Sequence, residues 1–66
     1  MIISDFTTVE LVYFEEHCNF VGYEIYVFEL RSQGKSLEQI ADILELTIDQ
    51  VKKISRKVNR KIAKVI

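Results

Sequence analysis

The residues of this chain best suited to chemistry are its cations, and they are gathered at one end. Residues 52–66 hold Lys52, Lys53, Arg56, Lys57, Arg60, Lys61 and Lys64 and no acid. Residues 1–30 hold Asp5, Glu10, Glu15, Glu16, Glu24 and Glu29 and no Lys or Arg. The net charge of −1 therefore hides two fields of opposite sign. A block of long basic side chains at helical spacing suits a polyanion, with the acidic half turned away from it. The bland alternative is two solvated faces of opposite sign.

The other reactive types are sparse. His17 and Cys18 form the one formal nucleophile–base pair, but adjacent helical residues point about 100° apart. No third group is placed to orient the pair, so an enzyme is not expected. One Cys and one His make no zinc set, and neither a metal nor a cofactor is expected. Cys18 is the single cysteine, so no intramolecular disulfide can form. That suits a reducing cytoplasm.

The elements that must position the cations are legible from caps and periodicity. Ser36 followed by Gln39, and Thr47 followed by Gln50, are capping-box patterns that start two helices. Leu37, Ile40, Ala41 and Leu44 recur at 3.6-residue spacing, as do Ile48, Val51 and Ile54 beyond Thr47. Two short helices across a tight turn form a helix-turn-helix. The last helix is expected from Ile48 almost to Ile66, with Val51, Ile54, Val58, Ile62 and Val65 on roughly 80° of arc. Beyond about Asn59 it is expected to project past the core.

Upstream, Thr7 and Glu10 repeat the capping box, and a helix is expected from about Thr8 to His17. A short strand over Val9–Phe14 is the competing reading, and Asn19 is the left-handed stop. Residues 23–34 read as a helix closed by Gly34. Tyr23, Tyr26, Val27 and Leu30 lie on one side, Ile25 and Phe28 on the other. Being apolar on two sides, this helix is expected at the centre, between the N-terminal helix and the motif.

All 66 residues make one domain. It divides into an N-terminal helical extension over 1–22, the central helix over 23–34, the helix-turn-helix over 36–57 and an extension of its second helix over 58–66. The fold class is all-α, a small three- to four-helix domain with a helix-turn-helix and a long C-terminal recognition helix. No apolar run reaches the roughly 18 residues of a membrane span, and no signal-peptide pattern opens the chain. Met1 suggests a complete small protein.

Taken from Val27, the segment VFELRSQGKSLEQIADILELTIDQVKKISRKVNRKI resembles the LuxR/GerE-type DNA-binding domain. It is also similar to the C-terminal promoter-reading domain of bacterial sigma factors. The resemblance covers about 36 of 66 residues. It rests on Val27 and Leu30, Gly34 before the motif, Ser36, the pair Ile40–Ala41, Leu44, Val51 and Lys52. Ala41 with Val51 ten residues on lets two helices cross closely. Two departures stand out. Glu45 takes the place where the family turn usually carries glycine, and no further helix follows the recognition helix. The implied class is a free-standing bacterial or phage-encoded regulator, cytoplasmic, with double-stranded DNA as partner.

In such a motif the second helix enters the major groove and its first residues reach base edges. The candidates are Thr47, Asp49, Gln50, Lys53 and Arg56. Glutamine pairs with adenine, lysine or arginine with guanine, and a carboxylate accepts from cytosine. Asp49 can instead cap the helix start. Lys35, Ser36, Lys52, Lys57, Arg60, Lys61 and Lys64 are the phosphate candidates, positioning the protein without reading sequence. A homodimer, or docking on a larger transcription assembly, is expected. Its contacts would be Val58, Ile62, Val65 and Ile66, or Val12, Tyr13 and Phe14. The rival reading is an adaptor that kept the fold, lost DNA binding and contacts a protein such as RNA polymerase through its acidic, aromatic side.

Overall fold

The computed structural model describes residues 6–66, and the first five positions of the expected N-terminal extension lie outside them. Four helices follow one another: α1 (Thr8–His17), α2 (Tyr23–Ser32), α3 (Leu37–Leu44) and α4 (Ile48–Val65). Val9–Phe14 belongs to α1, so the strand reading is set aside. The fold is a small all-α bundle, and α3, a three-residue connection and α4 form its helix-turn-helix.

Each helix start follows from local chemistry. Thr7, Ser36 and Thr47 all close capping boxes. Their hydroxyl oxygens accept from Glu10, Gln39 and Gln50 N–H at 3.2–3.3 Å. The Glu and Gln side chains accept the cap residues' own N–H in return, at 2.9–3.0 Å. Helix α2 lacks such a box; Gly22 precedes it at φ 55°, and the Glu24 carboxylate accepts from Val21 N–H instead. The stops are equally local. Asn19, Gly34 and Glu45 are left-handed, at φ 51°, 85° and 57°.

One hydrophobic cluster holds the four helices together, built on Phe14, Phe20, Val27, Phe28, Ile40, Ala41, Val51, Val58 and Ile62. Helix α4 packs against each of the other three, whereas α1 touches mainly α4. The expectation that α2 is the sandwiched element is therefore overturned: α4 is the centre. With only α3 and α4 packed on it to any extent, α2 has one covered side. That side carries Glu24, Val27 and Phe28, with Leu30 half-buried. Tyr23, Ile25 and Tyr26, expected inside, are 42–54% exposed.

The C-terminal half of α4 also differs from expectation. Eighteen residues at 1.5 Å each give about 27 Å, close to the 29 Å longest dimension of the molecule. The helix spans the bundle and does not project past it. Val58 and Ile62 are fully buried and Val65 packs against the cluster, because α1 lies against this end.

The α3–α4 crossing depends on the small side chain of Ala41, which is 7% exposed beside fully buried Ile40 and Val51. Ala41→Leu is expected to overpack it at a cost of about 1–3 kcal/mol. The measurement is thermal denaturation, and an unchanged Tm would place the crossing elsewhere.

Candidate nucleic-acid interface

The surface begins at the turn between α3 and α4. Leu46 N–H donates to Ala41 carbonyl at 2.9 Å and Glu45 N–H to Asp42 carbonyl at 3.4 Å. That pair of bonds, closing on a left-handed residue, is the Schellman arrangement. It turns Leu46 toward the core and delivers Thr47 to cap α4. Glu45 adopts φ 57°, ψ 40° there, a conformation costing a non-glycine residue on the order of 1 kcal/mol. A glutamate thus holds the left-handed position of this turn.

Helix α4 divides its circumference by chemistry. Val51, Ser55, Val58 and Ile62 are buried, and Lys52, Lys53, Arg56, Lys57, Arg60 and Lys64 are exposed. At 100° per residue, Lys53, Arg56 and Arg60 fall within about 60° of arc, and Lys57 and Lys64 extend the same band. Among the described residues, none of these six cations is in an ion pair. Asp49 is exposed at the N-terminal end of the band.

Not every candidate is free to act. Thr47 and Gln50 are both engaged in the cap of α4. Gln50 therefore holds its Oε1 on the backbone and leaves only the Nε2 side outward. Ser36 is likewise a cap; its oxygen accepts from Gln39, leaving its hydroxyl proton to donate. Lys35 is half-buried just before α3, its carbonyl accepting from Arg31 Nη1 at 3.2 Å.

Lys61 requires a correction. Its Nζ donates to the Glu24 carboxylate and, at 3.0 Å, to the Asn19 carbonyl. This cation is half-buried and already neutralised, so it is removed from the phosphate set. The pairing was invisible in the sequence because Glu24 and Lys61 lie 37 residues apart. The contact candidates divide too. Val12 and Tyr13 are exposed, as is Ile66, but Phe14 is buried at 4% exposure along with Val58 and Ile62. Those three serve the core and are withdrawn as oligomer contacts. Val65 is half-buried.

The His17–Cys18 neighbours are split by their settings. His17 is exposed with its ring 4.3 Å from that of Tyr13, whereas Cys18 is buried. Burial pushes the Cys18 thiol up, with the Lys61 charge acting against it. An activated thiolate needs the reverse balance. Among the described residues no group of three or more His, Cys, Asp or Glu could hold a metal ion, and no helix is long and apolar enough to cross a membrane.

For Glu24, burial favours the neutral acid. The Lys61 hydrogen bond, the Val21 N–H and the charges of Lys61 and Lys57 outweigh burial and hold the carboxyl below its ordinary value of 4.5. The folded value being lower than the unfolded one, this group's contribution is fully present above about pH 4.5 and is lost as pH falls through the lowered value. Glu24→Gln is expected to flatten the acid limb of stability against pH while lowering stability at neutral pH. Denaturant melts between pH 3 and 7 measure both; parallel curves for parent and variant would mean the pair is not coupled to folding.

No family model matches this chain, and neither does any curated protein or solved structure.

Proposed function

We propose that the chain is a sequence-specific DNA-binding transcriptional regulator, with the first turns of α4 in the major groove. The observation that carries this reading is the exposed band of unpaired cations on the second helix of a helix-turn-helix. The position of the band opposite the buried stripe supports it further, because the cations can meet a phosphate backbone without disturbing the core. The resemblance of residues 27–62 to LuxR/GerE-type and sigma-factor domains points the same way, to a bacterial or phage regulator acting in the cytoplasm.

Within that reading, Lys53 and Arg56 are the strongest base-edge readers, matched to guanine N7 and O6. Asp49 accepts from cytosine or supports the helix start. Thr47 and Gln50 contribute through the atoms the cap leaves free. Lys35, Ser36, Lys52, Lys57, Arg60 and Lys64 meet phosphates. With five of these contacts charged, log K for duplex is expected to fall with log[salt] at a slope of roughly −4 to −5. Arg60→Ala should weaken all sequences about equally and flatten the slope by about one. A salt titration on specific and random duplex measures this. Absence of binding at low salt would leave the adaptor reading in its place.

A single motif reads only a few base pairs, and related regulators double it by binding two half-sites. The surface that fits a second copy is the outer side of α1 with the end of α4. There Val9, Val12, Tyr13 and Ile66 are exposed, beside a cavity of about 360 Å³ lined by Phe6, Phe14 and Val65 among others. A small bundle gains proportionately from burying such a stripe. Tyr13→Glu is expected to shift sedimentation equilibrium at micromolar concentration toward monomer. A parent that is already a strict monomer would leave docking on a larger assembly.

A further inference from the structure

We infer that the groove between the end of α1 and the start of α2 is a docking site for a basic segment of a partner protein. One Arg or Lys side chain of that segment lies along Ile25 among three glutamates. The groove encloses about 380 Å³, with Phe20, Ile25 and Phe28 as its apolar lining and Glu15, Glu16 and Glu29 around them. The two phenylalanine rings lie tilted at 33° with centroids 4.8 Å apart, and both are buried in the core cluster, so the floor is held in place by the rest of the fold and Ile25 is its exposed apolar wall.

The chemistry of the walls selects the occupant. Glu15, Glu16 and Glu29 are exposed, and among the described residues none of their carboxylates has a hydrogen-bond or ion-pair partner. Their neighbour Glu24, buried on the same helix as Glu29, already has its counter-ion in Lys61. No Lys or Arg of residues 1–30 is available to the other three, since that stretch contains none. The Arg31 guanidinium is directed to the Lys35 carbonyl at the far end of α2. Three uncompensated carboxylates call for positive charge, but a bare ion would leave the exposed apolar surface of Ile25 unused. An aliphatic stem ending in a cation satisfies both, the stem lying on apolar surface and the head on the carboxylates. Arginine fits best, because its planar fork meets carboxylates bidentately.

Exposed apolar residues lie on the same elements as the groove. Val21, Tyr23, Ile25 and Tyr26 are 42–57% exposed along α2 and the loop before it. A free diamine or polyamine has no use for that band, whereas a polypeptide with apolar residues beside its basic one does. None of these residues belongs to the cation band of α4, so the site is independent of the proposed DNA contacts.

The test uses the full ¹⁵N-labelled chain titrated with a ten-residue peptide of alternating arginine and leucine. Saturable shifts are expected in the amides of residues 15–29. The combined variant Glu15→Gln, Glu16→Gln, Glu29→Gln should bind the peptide about tenfold more weakly, with an unchanged thermal melt and unchanged duplex binding. Ile25→Ser, at an exposed position, should weaken the peptide without changing the response to spermidine. Equal affinity of the triple variant and the parent would overturn the proposal. So would shifts spread evenly over all acidic residues including Glu10, Glu38 and Asp42, or spermidine binding as tightly as the peptide. Self-association of the parent that the triple variant abolishes would assign the groove to the basic helix of a second copy, against the proposal. Weakened duplex binding in Arg60→Ala, with peptide binding intact, separates the fate of this site from that of the DNA reading.

Discussion

The bundle depends on the burial of one stripe of α4. Val51, Val58 and Ile62 have no exposed surface, and the helix that carries them is the one element packed on all three others. A domain of this size leaves a large share of its surface in water, so it needs one long element around which the short ones can share a core. The ten-, ten- and eight-residue helices cannot span the molecule, whereas the eighteen-residue α4 does. The placement of charge then follows from packing. Once about half of the circumference of α4 is committed to the interior, its cations have a single side left to occupy. The exposed basic band is the complement of the core stripe, and a substitution that rotated α4 would displace both together.

Charge also enters the interior, at one point. Glu24 reaches in from the first turn of α2, where a carboxylate is favoured by the helix dipole, and meets Lys61 from the far half of α4. The Asn19 carbonyl and the Val21 N–H complete the contacts, so the loop between α1 and α2 is tied to both helices. Such a pair adds little net stability over an apolar pair of the same volume, but breaking it leaves a buried charge without its counter-ion. It lies on the side of α2 that buries Val27 and Phe28, with Tyr23, Ile25 and Tyr26 outward. This orientation of α2 also opens the groove over Phe20 and Phe28. The acidic and the basic halves of the chain thus meet at this contact.

What the sequence determined by itself was everything decided within a turn or two of backbone. The three capping boxes, the stops at Asn19 and Gly34, and the boundaries of all four helices are set by hydrogen bonds spanning three to five residues; the left-handed Glu45, whose residue type marks no such turn, was shown by the structure. The amphipathic pattern of α4 was legible for the same reason, since its period is a property of the helix alone. The tertiary structure decided which sides of the weakly patterned helices face inward. Helix α2 has apolar residues all round, so local periodicity could not choose between Tyr26 and Phe28; packing against α3 and α4 chose. Likewise, nothing local to Val58 and Ile62 separates a core residue from a projecting seam. The docking of α1 and α2 on this helix turns them into core, and Glu24 of α2 gives Lys61 a carboxylate where the sequence suggested a phosphate.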